Sequence, residues 1–123
     1  LRKKIDAALH PLVWEGLIKE IHSGLESSGV YPILVEVPLL YEAGWQDRFD
    51  EVIVVYSRRA DCRSRLLKRD CLSASQAEKE WTAQWPLPQK CLLGDHVIDN
   101  SGSWTASLFE LLHLGKLLWE DRQ

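Results

Sequence analysis

Six of the fifteen lysines and arginines, Arg58, Arg59, Arg63, Arg65, Lys68 and Arg69, fall within positions 58–69. On a helix, Arg65 and Arg69 project from one face a turn apart, with Arg58 on nearly the same meridian. Planar guanidinium groups arranged in this way suit bidentate contact with polyphosphate oxygens. The plainer alternative is a solvated helix face with Asp61 and Asp70 as ion-pair partners.

Two other segments carry groups that could meet a ligand. In Val35-Glu36-Val37-Pro38-Leu39-Leu40-Tyr41-Glu42, the proline closes an apolar stretch where it need not donate a ladder hydrogen bond. Pro38, Leu39, Leu40 and Glu42 would then enter a crevice, Glu42 facing a sugar hydroxyl or a metal-bound water. Asp99-Asn100-Ser101-Gly102 is a turn-forming cluster whose Asn and Gly tolerate left-handed angles, and such loops can offer backbone groups to a purine ring. An ordinary strand-to-loop transition and a plain turn explain the same residues.

These groups have to be positioned by helices and strands. Ile5, Leu9, Leu12, Val13, Leu17, Ile18, Ile21 and Leu25 recur at three- and four-residue intervals, the pattern of a long amphipathic helix, with a kink or break expected at His10-Pro11. Ile33 to Leu40 and Glu51 to Ser57 read as buried parallel strands. Arg58 to Asp70 reads as a helix, and Ser73 with Gln76 forms a capping box for another helix through about Trp85, stopped by Pro86 and Pro88. Val97-Ile98 is one small strand, and Ser103 caps a final helix. The predicted fold class is α/β, an open parallel sheet with helices on both faces and ligands beyond the carboxyl ends of the strands.

Composition narrows the function. Net charge is −3 with a pI near 5.8, which argues against a surface that grips nucleic acid or anionic lipid as a whole. No apolar run is long enough to span a membrane and no signal-peptide core is present, so the chain reads as cytoplasmic. Cys62, Cys71 and Cys91 form no C-x-x-C pair, the four histidines lack ligand spacing, and no metal-ligating set is expected. No G-x-x-x-x-G-K-[ST] phosphate loop occurs in the 123 residues, and no G-x-S-x-G elbow.

Taken in order, Leu9-His10-Pro11-Leu12-Val13, Val37-Pro38-Leu39-Leu40-Tyr41-Glu42, Arg65-Leu66-Leu67-Lys68-Arg69-Asp70 with Leu72-Ser73 and Ala77-Glu78, Gln84 with Pro86, Lys90, and Val97 to Ser103 closely resemble dephospho-coenzyme A kinase. The resemblance implies a P-loop kinase-like fold with a helical lid, incomplete at the N-terminus. It implies transfer of the ATP γ-phosphoryl group to the ribose 3′-hydroxyl of dephospho-coenzyme A, with Mg2+. By position it places residues 1–28 in an acceptor-binding helical region, 30–57 in core strands, 58–92 in the lid, and 93–123 in the nucleotide-base loop and last helix. Arg65 and Arg69 become the catalytic candidates, Asn100, Ser101 and Gly102 the nucleotide-base loop, and His10, Pro38, Leu39, Leu40 and Glu42 the acceptor side.

The family's first strand, its phosphate loop and its acidic base would all precede Leu1. The chain is therefore expected to be part of a longer protein and inactive alone, with ATP and Mg2+ held mainly by that earlier segment. The missing strand would lie between the two predicted here. Other readings are a different P-loop nucleotide or small-molecule kinase, or a non-catalytic kinase-like module.

Overall fold

The computed structural model describes residues 2–28 and 32–120. In chain order the elements are α1 (Arg2–Ser28), a 3-10 turn (Gln46–Arg48), β1 (Ile53–Tyr56), α2 (Arg59–Asp70), α3 (Ala74–Thr82), α4 (Leu87–Leu93), β2 (His96–Asp99) and α5 (Trp104–Glu120). They fall into two compact units, Leu1–Val37 with Leu118–Gln123, and Pro38–Leu117. Proteins of this α/β class place their ligands at the strand ends, which here belong to the second unit.

The first unit is built on α1, which is helical through Pro11 rather than broken there. A proline removes one backbone donor and crowds one carbonyl. In a 27-residue helix the other hydrogen bonds carry the element past that position. Residues 32–37, expected to open a strand, have no regular structure, and 38–44 form a turn. The apolar pattern at Ile33 to Leu40 is that of a strand, but a strand exists only where a neighbour completes its ladder, and none does so among the described residues.

In the second unit β1 and β2 pair in parallel, with Ile53 opposite His96, Val54 opposite Val97, Val55 opposite Ile98 and Tyr56 opposite Asp99. The ladder is pinned beyond both ends. The Asn100 N–H donates to the Tyr56 carbonyl at 2.7 Å, and the Asp95 and His96 N–H groups donate to the Val52 carbonyl at 3.0 and 3.2 Å. The Asp95 carboxylate returns the tie by accepting from the Val52 N–H at 2.8 Å. Tyr41, Val52 and Val54 make the buried cluster, with Leu40, Phe49, Leu87 and Cys91 packed against it. Gly94 lets α4 pass close over this cluster: a Cβ there would lie 2.6 Å from a Val54 methyl carbon.

The helices follow their local signals closely. Ser73 Oγ accepts from the Gln76 N–H while the Gln76 side chain accepts from the Ser73 N–H, the reciprocal capping box that opens α3. Ser103 Oγ likewise accepts from the Ala106 N–H at the start of α5. The helix α3 ends at Thr82, short of Trp85. Pro86 and Pro88, expected only to stop it, also start the short helix α4, as N-cap and in its first turn. Proline is preorganised for a helix start, where its missing N–H has no partner to lose.

Candidate functional site

Parallel pairing puts the carboxyl ends of β1 and β2 on the same edge of the sheet. From there β1 runs through Ser57 and Arg58 into α2, and β2 runs through the Asn100–Gly102 loop into α5. Two of the sequence clusters, the arginine helix and the turn-forming loop, are thereby brought into contact.

Arg65 reaches across this edge. Its Nη2 donates to the Asn100 carbonyl oxygen at 2.8 Å and its Nη1 to Ser57 Oγ at 3.3 Å. Arg58 binds the same loop, its backbone N–H donating to Ser101 Oγ at 2.9 Å and its Nη2 to the Ser101 carbonyl at 3.0 Å. From the other flank, Ser107 Oγ of α5 donates to the Asp99 carbonyl at 3.0 Å, and Glu110 accepts from the Asp99 N–H at 2.8 Å. Within the loop, Asp99 Oδ1 accepts from the Ser101 N–H at 2.8 Å. Bonds from Ser101, assisted by the nearby positive charge of Arg58, hold the Asp99 carboxyl below its usual range. A Cβ at Gly102 would meet nothing within 4 Å, so the loop tip borders open space.

Arg69, one turn beyond Arg65, lines a different feature. It borders an open groove of about 500 Å³ between α2 and α3, with Cys62, Leu66, Leu72, Gln76, Trp81 and others. Arg59 is tied to the α3 side of that groove by an ion pair with Glu78 and by stacking 5.9 Å above the Trp81 ring. Arg58 also pairs with Asp61 at 2.9 Å. Arg58 and Arg59 thus follow the ion-paired reading of the arginine cluster.

Glu42 lies elsewhere in the unit. Its Oε1 receives Lys90 Nζ at 2.8 Å and the Trp85 N–H at 2.7 Å, while Oε2 is buried with no hydrogen-bond partner. Burial alone would raise its pKa, but the bonds from Lys90, from the Trp85 N–H and from its own backbone prevail, so the carboxyl titrates below its usual range. Beside it, Tyr41 stacks on Trp85 at 6.2 Å with its hydroxyl buried and unpartnered, and burial, with Asp95 and Cys91 nearby, raises its pKa. Pro38 and Leu39 are exposed at the start of this turn, and Leu40 packs on the core. His10 belongs to α1, in the first unit.

The sequence reading passed over Ser57, Ser107 and Lys90 as partners of these groups. Lone serines and a lysine carry no spacing signal, and each acts through a residue 7 to 48 positions away, as with Ser107 and Asn100 or Lys90 and Glu42. Among the described residues no three His, Cys, Asp or Glu side chains come together as a metal site, and the Glu42 and Asp99 carboxylates already accept bonds from protein donors. No described helix is long and apolar enough to cross a membrane.

Comparison with known proteins adds the family. The chain is 34% identical over 115 residues to a dephospho-CoA kinase of Geobacillus kaustophilus, covering 94% of this chain and 57% of that protein. It is 37% identical over 121 residues to one from Staphylococcus epidermidis, covering 98% and 57%, and 41% identical over 103 residues to one from Geobacter sulfurreducens, covering 83% and 51%. A crystal structure from Thermus thermophilus superposes with a TM-score of 0.74 at 28% identity, covering 94% of this chain and 59% of that one. The chain thus spans little more than half the length of these relatives. The family model for dephospho-CoA kinase matches residues 1–106, and with relatives above 30% identity along nearly the whole chain, the chain belongs to the dephospho-CoA kinase family.

Proposed function

We propose that this chain supplies the acceptor-binding, lid and nucleotide-base portions of a kinase that moves the ATP γ-phosphoryl group to the ribose 3′-hydroxyl of dephospho-coenzyme A, giving coenzyme A. The observation that carries the reading is the placement of the Arg65 guanidinium against the Asn100 carbonyl at the carboxyl edge of the sheet. Arg65 offers its remaining N–H donors to phosphate oxygens there, and Arg69, one turn on, adds a second guanidinium from the lid side. The Asn100–Gly102 loop receives the purine, and Pro38, Leu39, Leu40, Glu42 and His10 belong to the acceptor side. Magnesium, when bound, would neutralise triphosphate charge; no described set of carboxylates, cysteines and histidines fits it, so a phosphate-loop motif would have to hold it. Because that motif does not occur in these 123 residues, they are expected not to turn over by themselves.

The test is formation of coenzyme A from dephospho-coenzyme A and ATP by the full-length protein, followed by chromatography. Turnover with dephospho-coenzyme A supports the reading. About a tenfold preference for adenosine or guanosine monophosphate as acceptor would move the protein to another kinase class, and absence of phosphoryl transfer to any of them would reject catalysis.

A further inference from the structure

We propose that Ser57 is a positioning residue for phosphoryl transfer: its buried hydroxyl joins the Arg65 guanidinium to the Asn100 carbonyl, so that purine seating and arginine presentation are set together. The proposal deepens the kinase reading above and rests on it.

Ser57 is the first residue after β1 and is only 6% exposed. A serine hydroxyl has one proton to give and two lone pairs to accept with. Here Oγ donates to the Asn100 carbonyl at 3.1 Å and accepts from Arg65 Nη1 at 3.3 Å, while Arg65 Nη2 donates to that same carbonyl at 2.8 Å. Each of the three groups is bonded to the other two. Both lone pairs of the Asn100 oxygen are used, and the proton of Ser57 has a fixed destination.

The consequence is orientational. A guanidinium held through one nitrogen still swings about that bond, whereas two nitrogens held at two points define the plane of the whole group. Arg65 uses two of its five N–H donors in this way, and among the described residues the other three have no protein partner on an exposed side chain. Ser57 therefore selects the direction in which those donors face.

The loop it holds is also clamped from both flanks, by Arg58 on Ser101 and by Ser107 and Glu110 on Asp99. Asn100 cannot shift to accommodate a base without pulling on Ser57 and Arg65. Ser57 is thus the joint between the site that reads the base and the side chain that meets the phosphates.

The experiment compares wild type, Ser57→Ala, Ser57→Thr, Ser57→Cys, Arg65→Ala and the Ser57→Ala/Arg65→Ala double variant of the full-length enzyme. Ser57→Ala is expected to lower kcat/KM for ATP by about fivefold or more with KM for dephospho-coenzyme A unchanged, and in the Arg65→Ala background to cost less than about twofold, the signature of two residues acting as one unit. Ser57→Thr, which keeps the hydroxyl, restores most of the loss, and Ser57→Cys, with a weaker donor, falls between. Penalties of Ser57→Ala and Arg65→Ala that multiply in full overturn the proposal, as does a wild-type kcat/KM in Ser57→Ala. A readout without substrate accompanies these: amide exchange at Asn100 and Ser101 accelerates in Ser57→Ala, and unchanged exchange overturns the tie. A wild-type enzyme that fails to phosphorylate dephospho-coenzyme A defeats the kinase reading itself, whereas an active wild type with unaltered Ser57→Ala kinetics defeats only the role of Ser57.

Discussion

Lys90 Nζ lies 2.8 Å from Glu42 Oε1, and that oxygen also accepts the Trp85 N–H at 2.7 Å, so one carboxylate fastens the turn after Pro38 to the connection between α3 and α4. The two side chains keep only 11% and 16% of their exposure, which makes the pair costly to break from one side. Lys90→Met strands the Glu42 charge and is expected to destabilise the protein by about 3 kcal/mol in urea denaturation. Adding Glu42→Gln should recover at least half of that. A loss below about 0.5 kcal/mol in Lys90→Met would show the pair to be solvent-screened.

The same pair gives a pH signature. The Glu42 carboxyl titrates below its usual 4.5 in the folded chain, because donors outweigh burial. Its contribution to stability is therefore complete above that usual value and is lost as the pH falls through the lower folded one. Wild type should lose stability relative to Glu42→Gln as the pH drops from about 6 to about 3. Denaturation midpoints that run parallel for the two proteins over this range would remove the assignment.

Arg65→Ala in the full-length enzyme should lower kcat by about a hundredfold or more, the size of effect seen when one preorganised donor to developing charge is lost. Arg65→Lys should rescue little of it, since a compact ammonium lacks the planar fork that fixes two nitrogens on Ser57 and Asn100 and turns the remaining donors in one direction. Near-normal turnover in Arg65→Ala rejects the role.

Gly94→Ala should cost about 1–3 kcal/mol by overpacking. The backbone there is ordinary at φ −76°, so the penalty is purely steric, from the Val54 methyl at 2.6 Å. Val54 is β-branched and 7% exposed, with little room to turn aside. Thermal unfolding of Gly94→Ala alongside Gly94→Ala/Val54→Ala checks this: the second variant should relieve the clash but expose the lost core contact.

Ser73→Ala removes half of the capping box and should destabilise α3 by about 1 kcal/mol, read as a lower unfolding midpoint. Ser73→Asp should retain nearly all of it, because a carboxylate at that position accepts from the same N–H.

The elements that the sequence announced most clearly were those carrying their own instructions. The box at Ser73 and Gln76 and the cap at Ser103 satisfy their own backbone donors within three residues, so reading along the chain suffices, while the β-branched run at Val52 to Val55 is local in residue type only and takes its ladder from β2. Ile33 to Leu40 misled because an apolar, β-branched run becomes a strand only with a partner that local reading cannot supply, and Pro86 and Pro88 because a proline that ends one helix is equally fit to begin another.

Arg65, Asn100 and Ser101 at the sheet edge, and Glu42 away from it, were visible as chemical types in suggestive spacing, and the family was legible from motifs in register. Their partners were not. Trp81 and Trp85 show why: one turn apart in a helical reading, they instead separate, Trp81 toward Arg59 and Trp85 onto Tyr41, because α3 stops between them.

The amino-acid order alone determined which groups exist and where helices start, since caps, charge clusters and turn residues act over three or four positions. Only the folded arrangement decided that Arg65 and Arg69, neighbours on one helix face, serve different surroundings, and that Ser57 meets Asn100 across 43 residues of chain. Parallel strand pairing is a long-range choice, made by burial of Val54 and Ile98 rather than by any local preference, and it is that choice which sets the two loop ends side by side.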